Sequence, residues 1–270
     1  MPELPEIETI KLQLRKVLIG QKLLKSNFPQ LAGKKVVSID RRGKVLLINF
    51  GEKLDLGFHF KMTGQLIYEA NGKRIVGGHP TEDFWNTMPS KHTRAIFNFD
   101  SGTLYFNDQR MFGWVMMNPK FVEKLGEDAL TITTNKFLEL LKRLKKPIKL
   151  AIMDQAIISG VGNIYANDAL WEAKINPQIP SHKLQREQIE TLLEKIKLVL
   201  REGIKYGGAT AADAKYIDLH GLGGHYQEHF RVYDREGQKC KRPACRQTGV
   251  KIEKFVLGGR GTYYCPKCQV

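Results

Sequence analysis

Four cysteines, Cys240, Cys245, Cys265 and Cys268, all fall within the last 31 residues of a 270-residue chain. Four residues separate the first pair, two separate the second, and 19 lie between the pairs. Pairs this close let each half of a tetrahedral zinc site come from one tight turn. Four thiolates leave no coordination position open for water, so such a zinc would hold structure rather than activate a nucleophile. The strand-like runs Val250 to Phe255 and Gly261 to Tyr264, with the Leu257-Gly258-Gly259 turn between them, suit a ribbon hairpin. A disulfide pair in a secreted protein is the competing reading, and an N-terminus without a signal-peptide apolar core argues against it.

The other chemically suggestive residues stand at the opposite end. Pro2 follows the initiator methionine, and removal of that methionine would expose a secondary amine. Terminal amines have a reference pKa near ~7.7–8.0, so a useful fraction is neutral at physiological pH without desolvation. A secondary amine attacking a sugar carbon at the aldehyde oxidation level gives an iminium directly. Glu3 and Glu6 lie beside it, one able to shuttle protons and the other to hold the site. Acids at a helix start can equally be mere partners of the helix dipole.

These residues need elements to hold them. Ile7, Ile10, Leu14, Val17 and Leu18 recur at helical spacing, with Pro5 suited to a first turn and Gly20 to a stop. From Lys35 to about Met117 the pattern changes to short strands such as Val45 to Ile48 and Ala95 to Phe99, punctuated by glycines, which predicts a β-sandwich. Phe137, Leu140, Leu141 and Leu144 mark a helical face, as do Ile189, Leu192, Leu193, Ile196, Val199 and Leu200. A glycine-rich stretch, Gly221, Gly223 and Gly224, precedes the cysteine-bearing tail.

Charge narrows the partner. Lysine and arginine number 43 against 28 acids, a net +15, which points to a polyanion. From Glu228 onward ten basic residues face four acids, a net +6 on the cysteine-bearing tail, the composition of a phosphate reader. No stretch reaches the ~18 apolar residues of a spanning helix, so the expectation is a soluble intracellular protein, and the charge by itself suits nucleic acid, an anionic membrane surface or merely a solvated lysine-rich surface.

The opening Met1-Pro2-Glu3-Leu4-Pro5-Glu6-Ile7-Glu8-Thr9 resembles the signature start of the bacterial formamidopyrimidine-DNA glycosylase family of base-excision repair enzymes. Further motifs agree in order. Arg41-Arg42-Gly43-Lys44 resembles the family's strand with its essential lysine, His59 to Gly64 its intercalation loop, and Asn107 to Gly113 its second wedge. Gly160 to Tyr165 resembles the turn of its helix-two-turn-helix module, and Gly259 to Gln269 its closing zinc finger.

The resemblance implies an α+β, two-domain protein: an N-terminal β-sandwich with a leading helix over 1–128, a helical helix-two-turn-helix domain over 129–225, and a zinc-ribbon finger over 226–270. It implies one structural Zn2+ on Cys240, Cys245, Cys265 and Cys268, damaged double-stranded DNA as partner, a monomer, and a cytoplasmic, nucleoid-associated location. Pro2 would attack C1′, Glu3 would protonate the opening sugar or departing base, and Lys44 would steady the lesion-side phosphate. Arg260 would bind phosphate and assist the second elimination. Met62, Arg110 and Phe112 would fill the hole left by the extruded nucleotide. His92 and Asn163 would hold phosphates. Glu6 and Lys145, with Lys146, are further DNA-side candidates.

The chain departs from the family pattern at Met111, where arginine is usual, at Phe60-Lys61 before the wedge methionine, and in the four-residue spacing of Cys240 and Cys245. Across Thr210 to Gln227 only Tyr216-Ile217-Asp218 and Gly224 to Gln227 align with the family's lesion-recognition loop. The implied activity is a bifunctional glycosylase and AP lyase for oxidised purines such as 8-oxoguanine and formamidopyrimidines. An endonuclease VIII-type enzyme for oxidised pyrimidines is the nearest alternative, though that group has glycine where Leu4 stands. A non-catalytic zinc-ribbon protein that binds damaged DNA is the alternative from another class.

Overall fold

Pro5 can occupy the second position of a helix because its missing N–H has no partner there anyway, and α1 (Leu4–Leu18) starts in this way. Ile7, Ile10, Leu14 and Leu18 form its fully buried stripe, while Val17 is half-buried at the margin. Gly20, at φ +81°, turns the chain away after the last turn. The computed structural model describes residues 1–79, 81–209 and 224–270. Tyr216-Ile217-Asp218, Gly221 and Gly223 lie outside the described residues.

Nine strands follow: β1 (Leu23–Ser26), β2 (Ser38–Arg42), β3 (Val45–Asn49), β4 (Asp55–His59), β5 (Gly64–Ala70), β6 (Lys73–Gly78), β7 (Thr93–Phe99), β8 (Thr103–Asp108) and β9 (Trp114–Met117). They form two antiparallel sheets, one in the order β1-β7-β8-β5-β6 and the other β2-β3-β4-β9. Alternate residues of both sheets, among them Leu46, Ile48, Leu56 and Phe58 from one and Leu66, Phe97, Leu104 and Phe106 from the other, share one core with the α1 stripe. Phe58 meets Phe97 and Phe106 edge-on at 5.7 and 5.9 Å between ring centroids. Outward residues Ile67, Val76 and Tyr105 are covered by Phe84 and Met88, so the segment between β6 and β7 is packed onto the sheet.

The register locates the predicted site residues. β2 and β3 pair from Ser38↔Asn49 to Arg42↔Val45, which leaves Gly43-Lys44 as a two-residue turn. Lys44 was expected on the strand; the hairpin instead places it at the tip, because Arg42 and Val45 close the ladder.

By chain contacts the fold divides into two units, one of 1–123 with 203–227 and the other of 124–202 with 228–270. The second unit contains β10 (Glu127–Asp128), paired in parallel with β11 (Ile158–Ser159), and α2 (Thr134–Lys142), α3 (Ile148–Met153) and α4 (Asn163–Glu172). It also holds most of α5 (Arg186–Lys205), then α6 (Pro243–Gln247) and the hairpin β12 (Glu253–Leu257) and β13 (Arg260–Tyr264). α2 ends before Leu144, whose N–H bonds only as far back as Leu141. α4 is buried on every side from Ile164 to Trp171, the pattern of a central helix. All six apolar residues read for α5 are buried. The first strand of the hairpin runs later than its apolar run suggested and the second begins one residue earlier, because Leu257 and Arg260 close around Gly258-Gly259, both at positive φ (56° and 72°). Such a two-residue turn requires glycine-like freedom at both positions. No helix among the described residues is long and apolar enough to cross a membrane.

Candidate active site and nucleic-acid interface

Pro2 is half-buried and Glu3, in extended backbone just before α1, is 3% exposed. The Glu3 N–H donates to Oε2 of Glu6 at 2.7 Å, part of a capping box that fixes the approach to the helix. Oε1 of Glu6 accepts the Ala209 N–H at 2.8 Å. Gly208, at φ +92°, lies so close that a Cβ would fall 2.8 Å from Glu6 Cγ, so glycine is required there. Glu6 was expected among the DNA contacts; it is 2% exposed, and its oxygens face backbone amides of two chain segments.

The β2–β3 turn presents Lys44, 7% exposed. Arg41 supports that turn, donating from Nη1 to the Gly43 carbonyl at 2.8 Å and from Nε to Glu8 at 2.8 Å. His59 ends β4, and its Nδ1 accepts the Lys61 N–H at 3.0 Å, so a neutral ring carries its proton on Nε2. Burial, reinforced by the positive charges of Lys61 and Lys44, pushes this imidazole down to about 3. The site therefore contains a neutral imidazole donor near a buried ammonium. Sequence reading named the loop but missed His59, since a histidine's protonation depends on neighbours distant in sequence.

The wedge candidates are exposed although apolar. Met62 stands 37% and Phe112 56% exposed, and the Arg110 guanidinium lies 5.0 Å from the Phe112 ring centroid. Two of the three positions that depart from the family pattern in these loops, Lys61 and Met111, adopt left-handed backbone at φ +48° and +58°. A side chain there costs about 1–2 kcal/mol relative to right-handed backbone.

His92 is half-buried, and its Nδ1 lies 2.8 Å from Oδ2 of Asp83. With Ser90, Lys91, Asn86 and Gln109 it lines an open recess of about 660 Å³. One ring nitrogen is thus oriented by a carboxylate, which leaves the other for a ligand.

In the second unit Asn163 is the first residue of α4, at the helix end whose dipole favours an anion. Asn167, one turn on, donates from Nδ2 to the Asn163 carbonyl at 2.7 Å and accepts the Tyr263 N–H at 2.8 Å on Oδ1. The helix start and the strand carrying Arg260 are therefore joined through one buried amide. Lys149, fully buried, donates from Nζ to the Gly261 carbonyl and to Thr262 Oγ1, both at 2.8 Å. Arg260 itself is exposed beside the Gly258-Gly259 turn. Lys145 is exposed between α2 and α3, whereas Lys146 is ion-paired with Asp154 at 2.5 Å. The single lysine in the apolar run Ile148 to Met153 was the available signal for Lys149.

The four cysteine sulfurs lie within 4.8 Å of one another, and none is in a disulfide. Cys245 and Cys265 Sγ atoms are 3.8 Å apart, close to the edge of a tetrahedron built on Zn–S bonds of about 2.3 Å. Geometry and donor set both fit one zinc ion. The longer Cys240–Cys245 turn has a use: Arg242 donates to the Trp171 and Glu172 carbonyls at 2.6 and 2.9 Å and stacks over the Trp171 ring at 4.2 Å. Trp171 in turn donates from Nε1 to Cys240 Sγ at 3.4 Å. The zinc turn is thereby locked to the C-terminal end of α4.

The Trp171 indole N–H should retain metal by steadying the Cys240 thiolate, as outer hydrogen bonds do for metal ligands. Trp171→Phe is expected to speed zinc loss to a chromogenic chelator by roughly tenfold; an unchanged rate would show the bond to be idle. For His59 the unfolded chain takes up a proton near 6.5 and the folded chain only near 3. Stability is therefore lost as pH falls through that window, by at most about 1.4 kcal/mol per pH unit from this group. His59→Gln should flatten the fall in urea midpoint between pH 6.5 and 4.5, and parallel curves would contradict it.

Comparison with known proteins covers the whole chain. Residues 1–115 match the formamidopyrimidine-DNA glycosylase N-terminal domain, 125–215 the formamidopyrimidine-DNA glycosylase H2TH domain, and 237–270 the zinc finger found in FPG and IleRS. The formamidopyrimidine-DNA glycosylase of Pelotomaculum thermopropionicum is 39% identical, with 100% of this chain and 99% of that protein covered. The crystal structure of MutM (Fpg) from Thermus thermophilus superposes with a TM-score of 0.83 at 34% identity, covering 99% and 98% of the two chains. Lactococcus lactis Fpg in complex with abasic-site DNA gives a TM-score of 0.81 at 30% identity over 99% of each. A leading helix on a β-sandwich, a helical module and a cysteine-built hairpin, each matching in order along the full length, place this chain in the formamidopyrimidine-DNA glycosylase family.

Proposed function

We propose that the mature chain, beginning at Pro2, is a bifunctional glycosylase and AP lyase that removes oxidised purines from duplex DNA. The observation that carries the reading is the helix start, where a half-buried Pro2 adjoins a buried Glu3 whose own N–H is held by Glu6. Complexes of Lactococcus lactis Fpg variants with Fapy-dG DNA, at 30% identity, support the purine class. So does Leu4, which stands where the oxidised-pyrimidine enzymes carry glycine.

The Pro2 nitrogen forms a bond to C1′ as the C1′–N bond to the base breaks, and the departing base takes a proton. Glu3 supplies a proton to the opening sugar oxygen, leaving an iminium between Pro2 and C1′. Glu3, now a carboxylate, takes a C2′ proton as the 3′ phosphate leaves, and loss of a C4′ proton to water then expels the 5′ phosphate, so that the gap carries phosphate at both ends. Lys44, buried in its turn, bears on the phosphate beside the lesion, and Arg260 on the phosphate leaving second. The neutral His59 offers its Nε2–H to a phosphate oxygen of the DNA. His92, Asn163 and Lys145 add phosphate contacts, while Met62, Arg110 and Phe112 occupy the space of the extruded nucleotide. When bound, zinc keeps the Arg260 hairpin folded.

The working divisions are 1–128 for chemistry, 129–225 for the helical DNA-binding part and 226–270 for the finger. The enzyme acts as a monomer on nucleoid DNA, gripping it with a net charge of +15 and a correspondingly steep salt dependence. The test is borohydride trapping on duplexes carrying 8-oxoguanine or thymine glycol. A covalent adduct with the first is expected. No adduct with either, from protein shown to begin at Pro2, defeats the enzymatic reading, and an adduct only with thymine glycol moves the chain to the pyrimidine class. Pro2→Gly should lose most lyase activity while retaining DNA affinity in a gel-shift titration.

A further inference from the structure

Asp108 closes β8 and is 1% exposed. Its Oδ1 accepts the Thr63 hydroxyl and, at 3.2 Å, the Arg110 N–H. Its Oδ2 accepts the Gly113 N–H at 2.5 Å. The Thr63 hydroxyl oxygen accepts the Arg110 N–H as well, at 3.0 Å. Thr63 directly follows Met62, whereas Arg110 and Gly113 bracket Met111 and Phe112. One buried carboxylate thus binds together the loop between β4 and β5 and the loop between β8 and β9. Gly113 must be glycine for this to occur, because a Cβ would lie 2.9 Å from Asp108 Oδ2 and 3.0 Å from both the His59 carbonyl and the Phe106 ring. Asp108 is anchored in turn, its N–H donating to the His92 carbonyl at 3.0 Å and its carbonyl accepting Arg94 Nε at 3.1 Å.

From this geometry we infer that Asp108 is the positioning residue of the strand-separating wedge, tying Met62 to Arg110 and Phe112 so that all three enter the duplex as one preformed insert. The inference rests on the proposed glycosylase reading. Two loops that moved independently would have to be ordered separately during extrusion; the shared carboxylate removes that requirement before DNA arrives. The consequence is substrate-dependent. A paired, stacked base must be forced from the helix, whereas an abasic nucleotide has no base to unstack. Loosening the wedge therefore slows the first far more than the second, while a general loss of structure slows both alike.

Two variants separate these outcomes. Asp108→Asn keeps size but turns an N–H donor toward one of the backbone amides. Thr63→Val keeps shape and removes the hydroxyl, and Thr63→Ser restores it. Single-turnover rates are measured on duplexes with 8-oxoguanine opposite cytosine and with an abasic site, alongside thermal melting and the fluorescence of 2-aminopurine placed next to the lesion. Asp108→Asn and Thr63→Val should slow 8-oxoguanine release about tenfold or more, a size that small misplacements produce, with a matching delay in the fluorescence rise. Abasic-site cleavage should stay within about threefold, since extrusion costs least there, and Thr63→Ser should behave as wild type. Equal losses on both duplexes, or full rates in folded variants, would overturn the role assigned to Asp108. Wild-type protein inactive on both duplexes would overturn the glycosylase reading itself and the wedge with it.

Discussion

A group at the end of a chain has the most conformational freedom of any in the backbone, and the nucleophilic role proposed for Pro2 needs it held still. Glu6 supplies that restraint. Its two oxygens take the N–H of Glu3, one residue from Pro2, and the N–H of Ala209. The carboxylate is buried at a helix N-terminus, where backbone N–H groups and the helix dipole favour negative charge. Gly208 leaves the room that the carboxylate needs. A fixed α1 start then depends on the α1 stripe being fixed in turn, and Ile7, Ile10, Leu14 and Leu18 achieve this by joining the core shared with both sheets.

The β-sandwich leaves several apolar side chains at its surface, Leu24, Val37 and Trp85 among them. Met62, Met111 and Phe112 are exposed at the tips of two loops, and Lys61 and Met111 hold left-handed backbone that glycine would adopt more cheaply. Strain and exposed apolar surface at the same loops are together a cost to folding, and such costs concentrate where function requires a fixed shape. Asp108 and Thr63 offset part of it with buried hydrogen bonds. Near these loops the low pKa of His59 keeps its ring uncharged between lysines, so the site offers a directed donor without adding another positive charge.

The C-terminal hairpin is too small to bury a core of its own. Its stability comes from the sulfur cluster, from Trp171 and Val232 packed with Cys240, Cys245 and Cys265, and from Lys149 and Asn167 reaching its strand from α3 and α4. The four-residue turn between Cys240 and Cys245 adds Arg242, whose stacking on Trp171 links a metal ligand to a helix end. Arg260 is exposed at the turn end of this hairpin.

Much was legible from sequence where chemistry is local. The proline behind Met1, the cysteine spacing, the glycine pair of the hairpin turn and the apolar stripe of α1 each signal their structure through neighbours within a few residues. The α5 stripe could be read for the same reason, since helical periodicity is a local repeat. Lys44 was misplaced onto a strand because a two-residue turn is decided by which residues pair across it. Met62 and Phe112 were named only through the resemblance, and their exposure is seen only in the fold. The same holds for Lys149 and Asp168, charged residues that tertiary structure buries completely and satisfies with backbone partners far along the chain. Sequence by itself therefore determined which reactive groups this protein has and the helical or extended form of the segments that carry them. Tertiary structure alone decided which of those groups are buried, which share a hydrogen bond and which keep their charge, because desolvation and partnering depend on atoms that chain order does not bring together.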